Sequence, residues 1–154
     1  MERKTKREII ILSFFCSMAF LTLVCLGINF AIFYEPKGKI ENAELEIGDS
    51  EQFEKEEIEA AMQCVLDKFP DFIDCDLHLL YYDEKESDEK IALEKRRWAD
   101  IPENCKLVLG CTFVAGKYSG ADGFDPGISY SAWFWYMERD DEKSPWRIAD
   151  YGQG

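Results

Sequence analysis

The feature that most constrains this chain is a run from Ile9 to Tyr34, 26 residues without one charged side chain. As an α-helix the run would extend roughly 39 Å at 1.5 Å per residue. The hydrocarbon core of a bilayer is about 30 Å thick, so the run predicts a transmembrane helix that crosses with some tilt. Arg3, Lys4, Lys6 and Arg7 precede it, and cations on that side hold the N-terminus in the cytoplasm and send the rest outward. The expected organisation is a basic cytoplasmic tail over 1–8, a signal anchor in the cell membrane over 9–34, a linker over 35–49 and an extracytoplasmic domain over 50–154. A cleaved signal peptide fits less well, because its apolar region is usually about 7–15 residues and ends in a small-residue cleavage pattern, which is missing here. A lipoprotein also fits less well, because Val24 precedes Cys25 and Phe15 precedes Cys16, where a small residue is needed.

The charge is placed asymmetrically. Residues 1–34 hold those four cations against Glu2 and Glu8, a net of +2; the whole chain carries −13, which leaves −15 on residues 35–154. Such a domain repels nucleic acid and anionic headgroups and permits cationic partners or divalent cations. High charge also accompanies disorder. Residues 50–154, however, hold Trp98, Trp133, Trp135 and Trp146 in periodic runs, and aromatic burial drives collapse.

Within that domain, Ile58, Ala61, Met62, Val65, Leu66 and Phe69 recur at helical spacing and predict a helix that Pro70 ends. Asp49 or Ser50 is a candidate cap for an earlier turn. CDLHLLYYDE alternates Leu77, Leu79 and Tyr81 with His78, Leu80 and Tyr82, a strand with both faces at least partly covered. EKESDEKIALEKRRWA predicts a second helix with Ser87 as its N-cap and Ile91 and Trp98 on one face. CKLVLGCTFVAG, YSAWFWYMER and WRIADYG read as strands, the last two as a hairpin about DDEKSP. Four glycines and a proline make GKYSGADGFDPGIS a long loop. Consecutive strands late in the chain predict α+β: a curved antiparallel sheet of about four strands with one or two helices packed on one face.

Taken together, CDLHLLYYDE, KLVLGCTF, GADGFDPGISYSAWFWYMERDD and PWRIADYG resemble a family of uncharacterised membrane-anchored or secreted domains of clostridia-like, Gram-positive bacteria. The resemblance covers about residues 50–152. It implies the cystatin-type, nuclear-transport-factor-like fold, in which a curved antiparallel sheet cradles a helix. The ending departs from the family pattern, with Tyr151 where a Trp is expected. The family brings no activity with it.

Chemistry-bearing clusters are sparse. His78 is the single histidine, which removes zinc sites needing two histidines and disfavours a Ser/Cys–His nucleophile. Cys64, Cys75, Cys105 and Cys111 lie in the exported part. Oxidation would pair some of them, Cys75 with Cys105 being favoured because each begins a strand; buried free thiols are the alternative. Asp122 and Asp125 in the Gly-rich loop are weak ligand candidates for a hard cation, but their spacing does not match an EF-hand. Turn capping is their simpler role, with Gly120, Gly123 and Gly127 free to take positive φ. No cofactor is expected.

The aromatic strand is the most suggestive element. Trp133 and Trp135 share one face, while Ala132, Phe134 and Tyr136 share the other. The functional expectation is a non-catalytic binding or interaction module. Its concave sheet near Trp133, Trp135 and Tyr82 would meet a peptide, a cationic partner or a cell-envelope component, and the bilayer would hold residues 9–34. Two alternatives stand beside it. One is a small cradle-fold enzyme working through a buried Asp or Tyr, with a carboxylate raised in pKa against Tyr81 or Tyr136. The other is an accessory subunit of a membrane complex, with Asn29 bonding across helices.

Overall fold

The computed structural model describes residues 12–25 and 35–154, and these fall into two units, divided after Glu35. Residues 12–25 are helical. No helix among the described residues is long and apolar enough to cross a membrane. The expected span over 9–34 lies partly outside the described residues.

The second unit carries a five-stranded sheet in the order β1 (Glu44–Ile47), β2 (Cys75–Tyr82), β3 (Lys106–Ala115), β4 (Ser129–Glu138), β5 (Arg147–Gln153). β1 pairs with β2 in parallel, and the other neighbours are antiparallel. The sheet is therefore mixed and has one strand more than the sequence suggested. The extra strand lies inside the segment expected to be a linker. Its four residues, two of them Glu, fall short of a strand pattern, and only the neighbouring β2 edge makes it one.

Helix α1 (Lys55–Lys68) makes the crossover between the two parallel strands. The Glu54 N–H donates to the Glu57 carboxylate at its start (3.0 Å), and Pro70 lies in the 3-10 turn Phe69–Asp71 that closes it. Ile58, Ala61, Met62 and Val65 face the sheet, as their spacing predicts. Ser50 caps the preceding turn, accepting from the N–H groups of Gln52 and Phe53.

Helix α2 (Glu84–Leu93) departs from expectation twice. Its N-cap is Asp83, whose carboxylate accepts from the Glu86 N–H at 2.8 Å. Ser87 is instead buried, and its hydroxyl accepts from the Val108 N–H at 2.9 Å. β2 ends before it reaches Val108, so that donor needs another partner. The helix also lies on the face of the sheet opposite α1. Ile91 and Trp98 pack on Val108, Phe134 and Tyr136, whereas α1 packs on Leu77, Leu109, Trp135 and Met137. The expected single helical face becomes one helix on each face.

Three β-bulges decide which side chains meet. In β2, Leu77 pairs with Phe113 and Leu79 with Thr112, leaving His78 as the extra residue. The strict alternation breaks there: Leu77, Leu80 and Tyr82 are all buried in the α1-side core, and His78 is exposed. In β4, Tyr130 and Trp133 pair with Phe113 and Cys111, so both face the α1 side. In β5, Ile148 pairs with Met137 and Asp150 with Tyr136. The extra residue Ala149 brings Tyr151 to the same face as Ile148.

On the α2 side, the Tyr81 ring lies over Gly110, its cross-strand partner, where a side chain would otherwise stand. Gly110→Ala places a Cβ against that ring and is expected to cost about 1–3 kcal/mol, because overpacking forces the ring off its rotamer. Urea denaturation reads this directly, and an unchanged midpoint would refute the packing.

Candidate functional site

Of the three aromatic residues singled out in the sequence, two belong to the core. Trp135 is fully buried, with its indole N–H 3.2 Å from Cys111 Sγ. Tyr82 is 2% exposed and packs edge-on against Phe53. The face they share is covered by α1, Phe72 and Phe124, which closes the expected open concavity over most of its area. Trp133 alone is half-buried, at the margin of that face.

Trp133 lines a small cleft of about 240 Å³ with Phe72, Phe124 and Tyr151, and with Lys68, Asp71 and Asp122 as charged neighbours. Three parts of the fold supply it: the C-terminal end of α1 with the turn after it, the loop between β3 and β4, and the middle of β4 beside the end of β5. Phe72 meets Trp133 edge-on, ring centres 6.1 Å apart, and Tyr151 at 5.4 Å. Phe124 meets Trp133 at 5.3 Å. Tyr151 is 41% exposed and forms the open wall. The Trp133 indole N–H is buried without a partner among the described residues.

The loop that carries Phe124 is pinned, and the two aspartates of the Gly-rich segment take part. Asp122 Oδ2 accepts from the Ile73 N–H at 2.5 Å, and the Asp125 N–H donates to the Tyr130 hydroxyl at 2.9 Å. Asp74, at φ +53°, accepts from the Tyr118 N–H through its carboxylate and from the Gly116 N–H through its carbonyl. Aspartate tolerates this left-handed conformation because its short polar side chain bonds locally. Gly123 and Gly127 take φ of +84° and +81°, as a turn role requires, whereas Gly120 does not. Among the described residues no group of three or more His, Cys, Asp or Glu is placed to hold a metal ion.

The favoured disulfide is excluded by register. Cys75 pairs with Ala115 at one end of β3, while Cys105 precedes Lys106 at the other. Ten strand residues separate those positions, roughly 33 Å, against the 4.4–6.8 Å a disulfide spans. Cys64, Cys75, Cys105 and Cys111 are all free thiols. Burial pushes Cys75 and Cys111 up to about 12, which keeps both protonated and unreactive.

The carboxylates with displaced pKa values move downward. Ser50 and the Gln52 and Glu51 N–H groups lower Glu84, and Arg97 lowers Asp150. Backbone and hydroxyl donors from Lys143 and Ser144 lower Asp141. Burial opposes the shift at Glu57, but the Glu54 N–H and Arg139 still hold it below its ordinary value. A general acid needs the opposite direction. Tyr81 and Tyr136, beside which a raised carboxylate was sought, are themselves raised, chiefly by burial.

A larger cleft of about 570 Å³ opens beside Ile91, Trp98, Ile101 and Lys106. Its buried cation is already engaged: the Lys106 ammonium donates to the carbonyls of Ile101 and Trp98 and to Glu103. The Trp133 cleft has instead a carboxylate, Asp71, that is 69% exposed and pairs with the Lys68 ammonium, 3.0 Å away.

Sequence reading missed Phe72, Phe124, Lys68, Asp71 and Tyr151 as neighbours of Trp133. Tyr151 stood out only as a departure from a Trp, because the bulge that turns it inward has no sequence signal.

Fold and cleft together define an α+β domain with an aromatic, acid-flanked cleft at one end of its sheet. Comparison with protein-family models, with curated proteins and with solved structures finds no match.

Proposed function

We propose that this chain is a membrane-anchored, extracytoplasmic binding module, without catalysis of its own, whose Trp133 cleft takes a cationic group from a peptide or protein partner. The observation that carries this reading is the grouping of Trp133, Tyr151, Phe72 and Phe124 with Asp71 and Asp122 in one half-open cleft. Aromatic faces attract cations through their quadrupole, and carboxylates at the rim add Coulombic attraction. The net charge of −15 on residues 35–154 concentrates cations around the domain. The anchor rests on the uncharged run Ile9 to Tyr34 and the cations before it. Kinship to the membrane-anchored or secreted domains of clostridia-like bacteria belongs to the same proposal, on the Gly-Asp loop and the W-x-W strand.

The test uses the full chain in detergent micelles, with tetramethylammonium as cation and tert-butanol as its neutral counterpart. Tetramethylammonium is expected to shift the Trp133 indole resonance, and tert-butanol to leave it in place. Tyr151→Leu keeps an apolar wall on an exposed position but removes the quadrupole. It is expected to weaken binding about two- to thirtyfold, the equivalent of a cation–π contact of about 0.5–2 kcal/mol. Equal shifts from the neutral molecule, or no change in Tyr151→Leu, would overturn the reading.

A further inference from the structure

β1 is an edge strand with an ordered open side. The Gly48 N–H donates to the Tyr82 carbonyl at 2.9 Å. In a parallel pair the N–H and C=O of one residue point the same way and alternate along the strand. The backbone groups of Glu44 and Glu46 therefore face β2, and those of Leu45 and Ile47 face outward, where no strand stands among the described residues. Beside this edge runs a groove of about 450 Å³ between β1 and α1, floored by Leu45, Ile47, Met62 and Leu66, with the Lys55–Glu59 ion pair on its wall. Leu45 is 51% exposed. On the opposite face of the strand stand Glu44 and Glu46.

The two ends of the sheet are defended differently. β5 carries a bulge, a device that twists an edge away from further pairing. β1 has unbroken register with β2 and, among the described residues, is guarded by its two glutamates. That guard is selective. A second copy paired antiparallel about the strand centre would set Glu46 against its own counterpart, within a domain that already carries −15. A basic strand would meet those same carboxylates favourably.

We infer that the outer edge of β1, with the groove beside it, receives an extended segment of a basic partner protein in which apolar residues alternate with Lys or Arg. Main-chain bonds form to Leu45 and Ile47, apolar side chains enter the groove, and cationic ones face Glu44 and Glu46. The surface is separate from the Trp133 cleft and does not depend on it.

The test is amide hydrogen exchange by NMR on the full chain in micelles, with a short synthetic peptide of alternating lysine and valine. The control peptide has the same composition in two blocks. At about nine-tenths occupancy the Leu45 and Ile47 amides are expected to slow about tenfold, since only the free fraction exchanges. The Glu44→Lys, Glu46→Lys double variant, altered at exposed positions only, is expected to lose that protection, and Trp133→Ala to keep it. Leu45→Pro removes an outward N–H without touching the β2 ladder and is expected to abolish it too. Equal protection by the block peptide would reduce the effect to charge attraction and overturn the inference. So would concentration-dependent protection of the chain alone, which would mark a second copy as the occupant.

Discussion

Trp135→Ala is expected to remove about 3–5 kcal/mol, the range for deleting a fully buried large aromatic side chain. Against a total stability of about 5–15 kcal/mol for a domain, the variant stands close to unfolding at ordinary temperature. The side chain has no exposed surface and contacts the Phe72 ring at 5.4 Å and Tyr151 at 4.9 Å. Its removal opens a void that Phe72 and Tyr151 cannot fill without abandoning Trp133. Trp135→Phe is a milder change. It keeps a six-membered ring but loses the pyrrole part of the indole together with the N–H to Cys111 Sγ, a weak acceptor. About 1–2 kcal/mol is expected for that change. Urea denaturation followed by circular dichroism measures both. A Trp135→Ala loss below about 1 kcal/mol would mean the residue is not the core element its burial indicates.

Arg139→Met carries the second large effect. The guanidinium, 5% exposed, donates twice to the Asn104 carbonyl, at 3.1 and 2.7 Å, and pairs with Glu57 at 2.7 Å. It also lies 4.4 Å from the centre of the Trp146 ring. One side chain thus ties the end of β4 to the turn before β3 and to the first turn of α1. Met replaces the stem but leaves a carboxylate and a carbonyl without their donor, at an expected cost of about 2–4 kcal/mol. The lower part of that range applies if water reaches Glu57, whose side chain is 32% exposed.

The same pair predicts a pH dependence. The Glu57 carboxyl lies below its ordinary value of 4.5 in the folded chain. A group depressed by folding contributes stability above its unfolded pKa and loses it as pH falls through the folded value. The stability difference between the native chain and Glu57→Gln is therefore expected to be full near neutrality and to shrink on acidification below about 4.5. In Arg139→Met that dependence flattens, because only the Glu54 N–H still favours the charged form. A difference that grew on acidification would contradict the pairing.

Much of the α+β character could be read from local patterns. The spacing of Ile58, Ala61, Met62 and Val65 set α1, the run Lys106 to Ala115 set β3, and alternation in β4 assigned Trp133 and Trp135 to one face. These signals are local, because apolar periodicity must match the element whichever surface buries it. Turn conformations in the Gly-rich loop were also legible at Gly123 and Gly127, which take positive φ.

Long-range decisions were not legible. β1 exists because β2 offers it an edge. α2 crossed to the second face because Ser87 and Trp98 find Val108 and Tyr136 there. The bulges at His78 and Ala149 each shift side-chain parity by one, which buried Leu80 with Leu77 and turned Tyr151 beside Trp135. Strand register also put Cys75 and Cys105 at opposite ends of the sheet. By itself the sequence determined the uncharged N-terminal run, the acidic balance of the remainder and the type of most elements, since each follows from residues near one another in the chain. Only the tertiary structure decided which aromatics are core and which line a cleft. That choice depends on which residues from distant elements compete to cover one face of the sheet, and burial goes to the set that excludes water from the largest apolar area.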